Sequence, residues 1–246
     1  IDLLRRRDQR GGRKRGKPSN LHPKVCNRVC RRGDTNLAGL PAEVSTRIKA
    51  QTRAMIQAGV PADEALRMTR AMVQNRYREE VAVQAQQLVA AARAQGLPHE
   101  PLMDKVQEGI AKQAPDQAVL QAMENVRNRY AHADRHAAQL AADPARQRAL
   151  ADALADGMAA GLQVRDMDRI MDQVRERARR QDCADCEGLP AETALTMREM
   201  ARRGVPSATV GEVVEGALQN GYQSRQMAQL RNQFQVQTRT EAPLEA

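Results

Sequence analysis

Aromatic side chains are nearly missing from this chain: three Tyr, one Phe and no Trp make up 2% of its 246 residues. Ile is scarce as well, whereas Ala, Gln, Arg, Glu and Met abound, a composition that excludes an all-β fold. No run of about 18 apolar residues occurs, so no segment is expected to cross a bilayer as a helix. No short apolar run of the kind found in secretory signals follows Ile1. The expected compartment is therefore the cytoplasm, or an exported one if residues ahead of Ile1 are removed. Four cysteines are too few for a disulfide scaffold. The chain is nonetheless long enough for one or two domains with a core.

Charge is abundant but unevenly placed. The formal net charge is +9, yet residues 1–33 hold 12 of the 39 basic side chains and only two of the 30 acidic ones. The head is strongly cationic and the remainder is close to neutral. Its core cluster is Arg5, Arg6, Arg7, Arg10, Arg13, Lys14, Arg15 and Lys17. Interspersed with glycine, such a cluster buries too little apolar surface to offset the entropy of ordering it, so residues 1–38 are expected to form a largely disordered tail. These eight side chains are candidates for binding nucleic-acid phosphates or another anionic surface, with strong salt dependence and little sequence preference.

The body carries Gly-Leu/Val-Pro five times: Gly39-Leu40-Pro41, Gly59-Val60-Pro61, Gly96-Leu97-Pro98, Gly188-Leu189-Pro190 and Gly204-Val205-Pro206. Chance would place fewer than one Gly-x-Pro in a chain with 15 Gly and 11 Pro. Glycine can end a helix in the left-handed conformation, and proline can occupy the first helical position, where its missing N–H is not needed. Acids follow in the next turn (Glu43, Asp63, Glu64, Glu100, Glu192), where they complement the helix dipole. Each tripeptide is thus expected to be a helix–helix corner.

Apolar residues recur at helical spacing. Val119, Met123 and Val126 follow Pro115 at the same offsets at which Met167, Met171 and Val174 follow Gln163, and Val210, Val214 and Ala217 follow Pro206. Leu102, Val106 and Ile110, like Leu150, Leu154 and Met158, are spaced four apart. Each helix therefore buries one stripe. Tyr77, Tyr130 and Tyr222 fall 16, 15 and 16 residues after Pro61, Pro115 and Pro206, as if at one repeat position against the core. The expected fold is all-α: four αα-hairpin units at about 39–95, 96–142, 144–182 and 188–233, solenoid-like or an elongated bundle, followed by a C-terminal tail over 234–246. The helix after Pro61 is expected to run unbroken to about Ala94.

The stretch Gly96-Leu97-Pro98, Leu102 and Lys105-Val106-Gln107-Glu108-Gly109-Ile110-Ala111-Lys112 resembles uncharacterised bacterial helical-hairpin proteins with Gly-Leu-Pro, Lys-x-x-Glu-Gly and Ala-Lys motifs. The resemblance implies a helical-hairpin fold and no activity; such proteins often carry export signals, and none is expected in this chain.

Candidate chemistry is sparse. Cys183 and Cys186 form Cys-x-x-Cys, while Cys26 and Cys30 form a wider pair preceded by His22. These four thiols could ligate zinc, pair as two disulfides or stay free. His132 and His136 lie one helical turn apart, but Ala133 stands where a metalloprotease needs Glu, no third ligand is evident, and a solvated face is expected. His99 is expected at the surface. Residues 11–17 contain Gly and Lys without Gly-Lys-Ser/Thr, so no phosphate loop is present. The sequence thus reads as a non-enzymatic interaction or scaffold protein with no cofactor and a protein partner. The alternatives are a nucleic-acid-associated protein acting through its basic tail and an exported bacterial envelope protein.

Overall fold

The structure, a computed structural model, describes residues 41–180 and 185–240. These form ten α-helices and no strand. In chain order they are α1 (Ala42–Gln57), α2 (Ala62–Gln74), α3 (Glu79–Ala94), α4 (Glu100–Ala111), α5 (Asp116–Leu140), α6 (Pro144–Ala159), α7 (Val164–Arg179), α8 (Leu189–Arg202), α9 (Ser207–Gln219) and α10 (Ser224–Thr240). The expected all-α class is the one the chain adopts.

Seven of the helix junctions use one backbone device. The chain leaves the helix through a left-handed residue, Gly59, Arg76, Gly96, Gln113, Gly161, Gly204 or Gly221, with φ between 53° and 109°. Its N–H donates to the carbonyl three residues back, and the next N–H donates to the carbonyl five back. At the first corner these are Gly59 N to Ile56 O (3.0 Å) and Val60 N to Met55 O (3.1 Å). This pattern closes a helix C-terminus while turning the chain. The residue after the left-handed one is then driven inward, as with Val60, Leu97 and Leu162, which are all buried.

The tripeptides at Gly59, Gly96 and Gly204 end a helix in the left-handed conformation as expected, but none of the three places its proline at the first helical position, and Pro98 precedes His99, the residue that caps α4. Pro41, Pro61, Pro115 and Pro206 occupy the capping position rather than the first helical one, with φ near −55° and ψ between 136° and 145°. Extended ψ aims the chain into the next helix while the proline carbonyl still accepts the first helical bond, as from Ala65 N to Pro61 O at 3.0 Å. Gly188 is not left-handed. Its φ is −85° and it caps the start of α8, its N–H donating to Asp185 Oδ1 at 2.8 Å. Gly39 lies outside the described residues.

The helix expected from Pro61 to Ala94 is two helices, α2 and α3. They are broken at Arg76, where a left-handed corner forms with no glycine to announce it. The reverse holds in α5, which runs 25 residues through Tyr130 without a break, roughly 37 Å of helix. Tyr77 and Tyr222 follow left-handed corners, whereas Tyr130 sits mid-helix, so the three do not share one structural position. At the C-terminus, α10 continues to Thr240, and Phe234 packs on the core, so helix extends into the stretch expected to be tail from residue 234.

Packing neighbours succeed one another as α1, α3, α5, α6, α8 and α10, with α2 against α4 and α7 against α9. Buried side chains form two cores. One gathers Met55, Met68, Met72, Val89, Leu102 and Met123; the other gathers Leu154, Ile170, Met171, Met197, Val214 and Met227. With so few aromatics, flexible Met side chains fill the irregular gaps between thin Ala and Val stripes. α5 serves both cores: Val119, Leu120, Met123 and Val126 enter the first, Ala133 and Ala137 the second, and Tyr130 packs against each. Burial, with the Asp152 and Asp156 carboxylates nearby, pushes the Tyr130 hydroxyl up to about 12.

The close approach of α4 and α5 explains the Lys-x-x-Glu-Gly motif. Gly109 presents bare backbone to the buried Val119. Glu108 is held by Lys105 (2.5 Å) and Lys112 (2.6 Å), which pull its carboxyl down to about 2. The first core also contains one polar knot. Gln86 Nε2 donates to Thr52 Oγ1 and Thr69 Oγ1, both at 2.9 Å, and those hydroxyls donate to Ile48 O and Ala65 O. Gln86 Oε1 is buried with no hydrogen-bond partner.

Candidate functional site

Polar side chains repeatedly pair across helices at sequence separations of 32–46 residues. Arg78 meets Asp116, 38 apart; Ser207 meets Asp166, 41 apart; Arg202 meets Asp156, 46 apart; Arg231 meets Glu192, 39 apart. Two of these pairs also complete helix ends. Asp116 Oδ2 accepts from the Arg78 backbone N–H at the start of α3. Gln163 N, at the start of α7, donates to Ser207 Oγ (2.8 Å), which in turn donates to Asp166 Oδ2 (2.6 Å). Arg177 Nη1 donates to Leu218 O (3.3 Å), one of the last carbonyls of α9, and to Tyr222 O (2.8 Å) in the corner that follows.

One of the pairings differs in chemistry. His132 and His136, one turn apart on α5, both point at Asp168 of α7. Their Nε2 atoms lie 2.6 Å and 2.7 Å from the same oxygen, Oδ1. The ring centroids are 5.4 Å apart. The sequence explains each placement. Ala133 and Ala137 bury the core side of α5, leaving His132 and His136 at the edge of that stripe. Met167, Ile170, Met171 and Val174 bury α7, leaving Asp168 at the facing edge. The side chains are 19%, 13% and 36% exposed, a partly sheltered seam. Burial acts to raise the Asp168 carboxyl, but the two imidazoles outweigh it and its pKa is lowered.

Arg135 Nη2 lies 2.6 Å from His132 Nδ1. A guanidinium only donates, so Nδ1 accepts and the ring proton resides on Nε2, facing Asp168. His132 also lines a cleft of 630 Å³ with Asn125, Asn128, Arg129, Met158 and Val164. The half-exposed Val164 stands at its rim. The pair expected on a solvated face with no third ligand is therefore a convergent His–His–Asp group. No sequence signal marks Asp168, because it sits 36 residues from His132 on another helix.

His99 is buried rather than at the surface. Its Nε2 lies 3.1 Å from Glu64 Oε2 and its Nδ1 3.4 Å from Glu100 Oε2, tying α2 to the start of α4. Cys186 is disulfide-bonded, which removes it from a four-thiolate zinc site. Cys26, Cys30 and Cys183, with Arg5, Arg6, Arg7, Arg10, Arg13, Lys14, Arg15 and Lys17, lie outside the described residues. No protein-family pattern, curated protein or solved structure matches the chain.

Proposed function

We propose that the chain is a non-catalytic interaction protein, a row of packed helices that presents an extended surface to a protein partner. The observation that supports this reading is the continuity of the packing. One helix, α5, serves both cores, and polar pairs 32–46 residues apart fasten successive helices. Such a row holds surface groups at fixed spacing over a long distance, which is how stacked helical proteins build binding faces. Photo-crosslinking side chains placed at Asn128 and Val164, on the cleft, test it in the source cell. The reading expects both positions to capture the same protein. Absence of any specific adduct at these and other exposed positions along α5 and α7 would contradict it.

Two specific observations favour other roles. Segregation of positive charge into residues 1–33 supports phosphate binding by the head. Removing residues 1–20 should then abolish binding to duplex DNA or RNA, and affinity in the full chain should fall steeply with salt. Binding that survives the deletion would discard this role. The Cys186 disulfide supports residence in an oxidising compartment. Under non-reducing conditions the full chain should then titrate with fewer than four free thiols, and a count of four would exclude it.

A further inference from the structure

We infer that His132, His136 and Asp168 form a binding site for a divalent transition-metal ion of the zinc class, bridging α5 and α7. Among the described residues they are the one group of three or more His, Cys, Asp or Glu donors within metal-binding reach, with ligand atoms all within 4.8 Å of one another. Two imidazoles and one carboxylate are a donor set that suits such ions and leaves coordination positions open. The three donors come from two helices that the fold has already brought together, so little further ordering is needed on binding. Metal–ligand bonds of about 2.0–2.2 Å in a tetrahedron place neighbouring ligand atoms about 3.3 Å apart. The present 2.6 Å and 2.7 Å separations reach that value by small rotations of partly exposed side chains. The cleft beside His132 leaves room for water at the remaining position.

Arg135 opposes this state. A metal on His132 Nε2 requires that ring proton to move to Nδ1, where Arg135 now donates. The guanidinium must leave, and its exposed position on α5 permits that. The ion and Arg135 therefore compete for one imidazole, and Arg135 sets the affinity without touching the metal.

Titration of the full chain with Co²⁺ and with Zn²⁺, followed by absorption and by competition with a chromogenic chelator, tests the inference. One equivalent should bind, with weak visible bands and no sulfur-to-metal charge transfer. His136→Ala and the near-isosteric Asp168→Asn should each weaken binding by about tenfold or more, with helix content by circular dichroism unchanged for the latter. Arg135→Ala should tighten it. Absence of binding by the full chain overturns the inference, as does binding unaltered by Asp168→Asn, or a spectrum dominated by thiolate charge transfer. An Arg135→Ala variant that binds no more tightly refutes the assignment of Nε2 as the ligand atom.

Discussion

Asp116, at the start of α5, grips Arg78, at the start of α3, with both carboxylate oxygens. Oδ2 accepts from Arg78 Nε at 2.9 Å and from its backbone N–H at 3.0 Å, while Oδ1 accepts from Nη2 at 3.0 Å. The guanidinium bond leads in pulling the Asp116 carboxyl down to about 2, against some opposition from burial. Because the folded value lies below the ordinary one near 4, this pair stabilises the fold above about pH 4 and its contribution fades as pH falls towards 2. Asp116→Asn should lower Tm at pH 7 by roughly 2–4 °C, equivalent to about 1 kcal/mol for a partly exposed fork. The difference from the parent chain should vanish near pH 2. An equal gap at both pH values would contradict this account.

Gly109 lies inside α4, where propensity alone favours alanine by about 1 kcal/mol. A methyl there would overlap Val119, a stiff β-branched side chain 3% exposed in the first core. Gly109→Ala should therefore destabilise by about 1–3 kcal/mol despite better propensity. Adding Val119→Ala should cost less in that background than alone, as a double-mutant cycle by urea unfolding would reveal.

The knot at Gln86 predicts opposite outcomes for two substitutions. Gln86→Met keeps the volume and removes the unpartnered Oε1, while Thr52 and Thr69 keep their carbonyl acceptors. Its stability should stay within about 1 kcal/mol of the parent. Gln86→Ala opens a void and should cost about 2–4 kcal/mol by the same measurement.

Corners can be strengthened or weakened through one dihedral angle. Arg76 at φ 56° and Gln113 at φ 53° adopt the left-handed backbone that glycine accepts freely. Arg76→Gly and Gln113→Gly should each raise thermal stability by up to about 1 kcal/mol. Gly204→Ala, at φ 79°, has open space for a methyl yet should lose about 1 kcal/mol on backbone grounds alone. Differential scanning calorimetry distinguishes the two directions.

What the amino-acid pattern revealed were the local features. Gly59, Gly96 and Gly204 are corners because a left-handed residue followed by an inward-turned apolar one needs only neighbours in sequence. Met123, Met171 and Val214 are core because helical period places them so. The illegible features depended on distant partners or on the absence of a specific residue. Arg76 and Gln113 turn left-handed with no glycine, since packing of the partly buried Tyr77 and Ala114 on the first core and of the helices that follow outweighs a modest backbone penalty. Tyr130 keeps Tyr spacing but sits in unbroken helix, because both cores hold α5 straight through it. His99 is drawn inward by Glu64, 35 residues earlier. Asp168 joins the two histidines only once α5 and α7 have packed.

The most direct test of the continuous row is native-state hydrogen exchange along the full chain. Protection should extend through residues 116–140 without a gap at Tyr130, and α3 to α8 should open with a common free energy. Two separately opening blocks that divide at Tyr130, with fast exchange in the middle of α5, would contradict the account.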